Sequence, residues 1–218
     1  TRKESSAASD VYKRQATIRR DGSSKFGTNN KWGTFPSVSV GWNITQESFM
    51  EKVNWLNDLK LSVGYGITGN QTGLDPYKTL ELYGTDGVYY DTGSWLPSYK
   101  ISQNANPDLK WERTGQFDIG VDLGLIGNRL RITADYYKKK TTDLLYNVAI
   151  PSTSGHQSML KNIGSVENHG YELSIESDNL RGAFTWTTAF NISFNKNKVL
   201  ELGGEEYKDV GQNDDHLK

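Results

Sequence analysis

The chain has 218 residues, a formal net charge of -1 and a pI near 6.3, a balance that leaves no cationic footprint for nucleic acid. It contains no cysteine, so disulfide staples and thiol metal sites are excluded, and His156, His169 and His216 are too far apart in sequence for metal-ligand spacing. Hydrophobic residues make up only 35%, and no apolar run approaches the roughly 20 residues of a membrane helix; a mean hydropathy of -0.67 still suits a membrane barrel, where only alternate residues meet lipid.

Thr1–Gln15 (TRKESSAASDVYKRQ) shows neither a helical nor a strand period and differs in composition from the rest of the chain. It resembles translated adapter sequence, so residues 1–15 are set apart as non-native, with a disordered polar N-terminus as the alternative. No signal peptide opens the chain, and the natural start is expected upstream. From Ala16 onward, period-two alternation dominates. A short strand is expected over Ala16–Arg20, then a polar link, Asp21–Gly33. Val38, Val40, Trp42 and Ile44 alternate in the next strand. Gln46–Asn57 is expected to form a helical turn, with Phe49, Val53 and Leu56 on its apolar face.

In the third strand Leu59, Leu61, Val63, Tyr65 and Ile67 are apolar, whereas Lys60, Ser62, Gly64, Gly66 and Thr68 are polar or small. Its end, Gly64 to Gly69, matches the dinucleotide pattern G-x-G-x-x-G. No helix is expected after it, because Asn70, Gly73 and Pro76 read as loop, so there is no helix N-terminus for a phosphate. A long polar link, Gly69–Pro107, comes next. Phe117, Ile119, Val121 and Leu123 then alternate with Asp118, Gly120 and Asp122. Ile126-Gly127-Asn128 is a tight turn, and Leu130, Ile132, Ala134 and Tyr136 open another strand. After a third long link, Pro151–Ile163, come Tyr171, Leu173 and Ile175. Leu180-Arg181-Gly182 turns the chain into Phe184, Trp186, Phe190, Ile192 and Phe194.

That makes about seven strands, several near the ten tilted residues that cross a bilayer. Short turns gather at one end and long links at the other, the asymmetry of an outer-membrane barrel. Trp32 and Trp111 fall at the loop end, and Trp42, Trp55 and Trp186 at the turn end, where two interfacial girdles are expected. The alternate faces carry Gly, Ser, Thr, Asn and Asp rather than long charged side chains. That argues against the alternative of a soluble carbohydrate-binding β-sandwich. A glycoside hydrolase would need two carboxylates at controlled separation, and no pair is set apart. The fold class read from residues 16–218 is therefore all-β, an antiparallel up-and-down transmembrane barrel present in part.

Seven strings in order carry a family resemblance. They are Arg19–Gly27 with Trp32–Ser39, Leu59–Gln71, Asn106–Glu112, Asp135–Leu145, Asn162–Val166, Asn168–Leu173 and Phe190–Val199. Together they resemble the SusC/RagA family of TonB-linked outer-membrane transporters. The resemblance implies a plugged barrel of about 22 strands in the outer membrane of Bacteroidetes-type Gram-negative bacteria, with roughly a third of it in this chain. It also implies import of oligosaccharides or peptides, energy from TonB through an N-terminal part not included in this chain, and a SusD-like lipoprotein over the outer mouth. Under this reading the chain is a fragment that is not an enzyme, binds no cofactor, metal or nucleic acid, and contacts outer-membrane lipid. Lumen-facing Asp118, Asp122, Asp135, Asn191 and Asn195 are expected to offer hydrogen bonds to plug, water or solute. Within the long Gly69–Pro107 link, Tyr77, Tyr83, Tyr89, Tyr90, Trp95 and Tyr99 supply flat faces. Tyr83, Tyr89, Tyr90, Trp95 and Tyr99 are the candidate ligand- or partner-contacting residues.

Overall fold

A computed structural model describes residues 11–201 except 152, 154 and 157, together with the backbone of 208–209 and 216–217. The strands in chain order are β1 (Tyr12–Gly22), β2 (Trp32–Asn43), β3 (Leu56–Asn70), β4 (Leu82–Asp91), β5 (Ser94–Gln103), β6 (Glu112–Leu125), β7 (Leu130–Thr142), β8 (Leu145–Ala149), β9 (Ser158–Asn162), β10 (Ser165–Leu180) and β11 (Trp186–Glu201). A two-residue ladder, β12 (Lys208–Asp209) with β13 (His216–Leu217), completes the set. Seven strands form one sheet in the order β1-β2-β3-β6-β7-β10-β11, each antiparallel to its neighbours. One single layer, with no second sheet packed on it among the described residues, is not a sandwich.

Register sorts the side chains. Directly opposed residues of an antiparallel pair share a face. Val40, Val63, Ile119, Tyr136, Tyr171 and Phe194 stand in one such row. Two residues toward the turns, Trp42, Leu61, Val121, Ala134, Leu173 and Ile192 form the next. The row between them points the other way and reads Gly41, Ser62, Gly120, Asp135, Glu172 and Ser193. One face is thus apolar and the other polar across all these strands, from alternation alone.

The edges of the apolar face descend across the rows, at the loop end as far as β7, beyond which Tyr171 and Phe194 keep the row of Tyr136. Its loop-end limit is Ile67 on β3, Phe117 on β6 and Tyr136 on β7. Ile67 opposes Gly115, two residues above Phe117, and Phe117 opposes Lys138, two residues above Tyr136. The turn-end limit descends likewise, from Trp42 on β2 to Leu59 on β3, Leu125 on β6 and Trp186 on β11. A level apolar slab crossing tilted strands gives this geometry. Phe190 is 51% exposed and Phe194 61%, and among the described residues no other layer covers this face. In water so large an uncovered patch is unfavourable, whereas in lipid it is solvated.

Several expectations need correction. The links Gly69–Pro107 and Pro151–Ile163 are not plain loops: the first holds the β4–β5 hairpin, and the second holds β9, which pairs back on β8 just before it. The Gln46–Asn57 region does not form a helix with an apolar stripe. It has two single-turn 3-10 helices, Ile44–Gln46 and Ser48–Met50, with Phe49 exposed and Leu56 already in β3. Six residues split by an extended Glu47 cannot line up a 3.6-residue repeat. The first strand starts at Tyr12 rather than Ala16, so Tyr12–Gln15 pair with Trp42–Ser39; residues 1–10 lie outside the described residues. Phe184 precedes β11 and is exposed in the turn. The three glycines of the G-x-G-x-x-G string all lie within β3.

Candidate functional site

The buried apolar residues, Phe26, Phe35, Leu74, Leu109 and Trp111, form one cluster at the loop end, with Ile67, Leu145 and Leu160 packed around it. The sheet makes room for it. The β2–β3 ladder stops at Ser37 opposite Gly66, although β1 follows β2 to Trp32 and β6 follows β3 to Asn70. Phe35 fills the split. The Trp111 ring lies 5.0 Å from Phe26 and meets Phe35 edge-on at 5.6 Å. Trp111 is therefore 7% exposed and belongs to this core rather than to a lipid girdle, a correction to its expected place. Its burial removes far more apolar area from water than an interfacial seat would. Trp32, by contrast, is 63% exposed on the apolar-face parity of β2.

Polar side chains lock this cluster to the strand ends. Glu112, itself buried, accepts from Asn70 Nδ2 at 2.7 Å and from the Leu145 amide at 2.9 Å. Asn162 accepts from the Lys110 amide at 2.9 Å and donates to the Lys110 and Asp143 carbonyls at 2.7 and 2.8 Å. Asn106 donates to the Leu160 carbonyl at 2.6 Å, and Lys110 pairs with Asp143 at 2.9 Å. Asn30 donates to the Asp108 carbonyl at 3.2 Å. The strings Asn106–Glu112, Asn162–Val166, Trp32–Ser39 and Leu59–Gln71 meet in this one brace. Sequence reasoning missed it as a site. The available signal was single large apolar residues, Phe26, Leu74, Leu109 and Trp111, set inside strings otherwise polar.

The brace carries the β4–β5 hairpin. Thr92 (φ 46) and Gly93 (φ 92) close it with two left-handed residues between the Asp91–Ser94 pair, the conformation a two-residue hairpin turn requires. Gln103 Nε2 donates to the Tyr77 and Leu80 carbonyls, both at 2.8 Å, fixing its base. Pairing of Tyr83 with Ile101, Thr85 with Tyr99, Val88 with Pro97 and Tyr90 with Trp95 puts Tyr83, Tyr90, Trp95 and Tyr99 on one face, across an irregularity at Thr85/Val88. Tyr89 pairs with Leu96 on the other face. Four of the five candidate contact residues are thus brought together and one is not. Tyr90 and Trp95 meet edge-on at 5.3 Å, and Trp95 is 69% exposed. The Tyr83 hydroxyl donates to Glu81 at 2.7 Å, a bond that raises the phenol pKa above its ordinary value.

On the polar face, Asp118, Asp122 and Asp135 gather on β6 and β7, near Glu172 of β10. Lys60 pairs with Asp122 at 3.3 Å, and Asp122 also accepts from Thr133 at 3.0 Å. Gln116 donates to Asp118 at 2.7 Å. Asn191 and Asn195 sit apart on β11, opposite Ser174 and Gly170. The arrangement suits hydrogen bonding to a polar filling.

A long-stranded antiparallel sheet, apolar outside along an oblique band and polar inside, with short turns at one end and a braced mouth at the other, is a wall of a transmembrane β-barrel. Residues 9–214 match the family model described as TonB dependent receptor-like, beta-barrel, and the chain belongs to that family. It is 45% identical over 197 residues to TonB-dependent receptor P39 of Formosa agariphila, covering 90% of this chain and 18% of that protein. It is 42% identical over 197 residues to TonB-dependent receptor SusC of Bacteroides thetaiotaomicron, covering 88% of this chain and 20% of that protein. Among solved structures it superposes on the RagAB peptide importer in the open-open state with a TM-score of 0.84 and 31% identity, over 93% of this chain and 22% of that one. The closed-closed state of the same importer gives a TM-score of 0.81. The chain thus spans about a fifth of the length of the relatives it matches.

Proposed function

We propose that this chain is part of the wall of a nutrient importer of the Gram-negative outer membrane, energised by TonB through a part of the protein outside this chain. The carrying observation is the oblique, uncovered apolar band on one face of the sheet, backed by the similarity to SusC and the RagAB peptide importer. Its work is passage without bond-making, so it is not an enzyme. The polar face, with Asp118, Asp122, Asp135, Asn191 and Asn195, borders the lumen and hydrogen-bonds a plug, water or passing solute.

The long connections face outward, and a SusD-like lipoprotein covers the mouth they build. The imported nutrient is an oligosaccharide or a peptide. Tyr83, Tyr90, Trp95 and Tyr99 offer it, or the lipoprotein, four rings on one face of the hairpin, with the Val88–Pro97 pair between Tyr99 and the Tyr90–Trp95 pair and Tyr89 on the reverse. Rigid rings stack on sugar C–H faces or peptide planes at little cost in side-chain entropy.

Hydroxyl-radical labelling from water, in native membranes holding the full-length receptor, tests the assignment. Phe117, Ile119 and Phe190 should stay unmodified while Tyr90 and Trp95 react. Strong labelling of the first three would refute it.

A further inference from the structure

We infer that the outward face of β6 and β7 at the loop end binds the phosphate of an outer-leaflet glycolipid of the lipid A type. This rests on the membrane reading above and adds a ligand to it.

An open cleft of about 430 Å³ lies on this face. Its floor is apolar: Tyr65 and Ile67 from β3 and Phe117 from β6. Its rim is cationic: Arg113 from β6, and Lys138 and Lys140 from β7. Gly115 holds the groove open, because a Cβ there would stand 3.2 Å from the Tyr65 hydroxyl. Register puts these groups on the apolar side of the sheet, since Lys138 opposes Phe117 and Lys140 opposes Gly115.

The charges follow the boundary of the apolar band. Lys138 lies two residues above Tyr136, and Lys196 two residues above Phe194. Lys140 and Lys198 stand one further step up, opposite Glu167. Lys138 is bridged to Glu167 at 3.2 Å, and Asp143 at the cleft's end is held by Lys110 at 2.9 Å. Among the described residues, no carboxylate pairs with Arg113 or Lys140. Long cationic side chains on a lipid-facing surface reach for the headgroup level, where phosphate oxygens satisfy them. A guanidinium can hold phosphate with two parallel bonds. Below the rim, Tyr65, Ile67 and Phe117 offer an acyl chain an apolar trough. A free phosphate ion would gain nothing from that trough, so the geometry favours a lipid.

The full-length receptor in mild detergent is the material for the test, with phosphorylated lipid A, dephosphorylated lipid A and inorganic phosphate as probes in native mass spectrometry. The phosphorylated lipid should bind about tenfold more tightly than the dephosphorylated one. R113Q/K140Q should weaken it about 25-fold, at roughly fivefold for each cation near an anionic headgroup. K52Q, at the opposite end, should leave binding unchanged while all three proteins keep heat-resistant folded migration. Equal binding of both lipids, indifference to R113Q/K140Q, or full competition by inorganic phosphate would overturn the inference and leave the importer reading standing. A receptor that fractionates away from the outer membrane would overturn that reading, and this one with it.

Discussion

The ring of Phe35 occupies the space into which a side chain at Gly69 would grow: a Cβ there would lie 2.8 Å from Phe35 Cε2. A Cβ at Gly33 would meet the same ring, 2.9 Å from Cε2. Two glycines on different strands therefore make the slot that seats the mouth's central aromatic, and the split between β2 and β3 depends on both. Gly69→Ala should destabilise the mouth by about 1–3 kcal/mol through overpacking. In a Phe35→Leu background the same change should cost clearly less. A double-mutant cycle in the refolded full-length barrel measures that coupling, and strict additivity would show that the two positions act independently.

Leu109 is fully buried in the same cluster. Leu109→Ala should cost about 2–5 kcal/mol of local stability, the range for a truncated core leucine. Because this residue sits in the loop-end cluster and not in the lipid-facing band, protease should nick the region around Asn106–Trp111 faster, with the barrel still migrating as folded.

Glu112 is a buried acceptor for two donors on different segments. Glu112→Gln turns one carboxylate oxygen into a donor and sets it against an existing N–H. The expected loss is about 1–3 kcal/mol. Hydrogen exchange should speed up at the Leu145 amide, while amides of β11 stay protected.

The Ile126 backbone has φ 54, in the left-handed region that a β-branched residue rarely adopts, and its side chain is exposed. Gly127 comes next at φ 64, and its amide donates to Asn57 Oδ1 at 2.6 Å. Ile126→Asn relieves the crowding and should stabilise the barrel by about 1 kcal/mol, seen as a higher urea midpoint.

Glu47, in the connection between β2 and β3, accepts from the Tyr12 hydroxyl and from Trp42 Nε1, the latter at 2.9 Å. These bonds, Tyr12's first, hold its carboxyl below the usual glutamate value. The folded pKa is depressed, so the stabilisation is full above the ordinary range, about pH 4.3, and fades as pH falls through the folded value. Glu47→Gln should flatten that acid limb in urea titrations followed by Trp42 fluorescence. An unchanged limb would place the dependence elsewhere.

The sheet was legible because alternation is local: Phe117 to Leu123 states its face without reference to any neighbour. The β4–β5 hairpin was not, since the register shift between Thr85 and Val88 breaks the period and both its faces carry tyrosine. The brace was hidden for a different reason. Asn106 finds Leu160 across 54 residues and Lys110 finds Asn162 across 52, and no short-range pattern announces such pairings. The five candidate aromatics were recognisable by type, but their division between two faces was set by that same irregular register.

The buried apolar cluster stands at the far ends of the strands, on the side away from the short turns. If the chain is inserted from the periplasm, as the proposed function implies, Phe26, Leu74, Leu109 and Trp111 must pass the hydrocarbon before any of them can meet. On that reading the mouth is the last region to consolidate, and its assembly reports that every strand beneath it has already arrived.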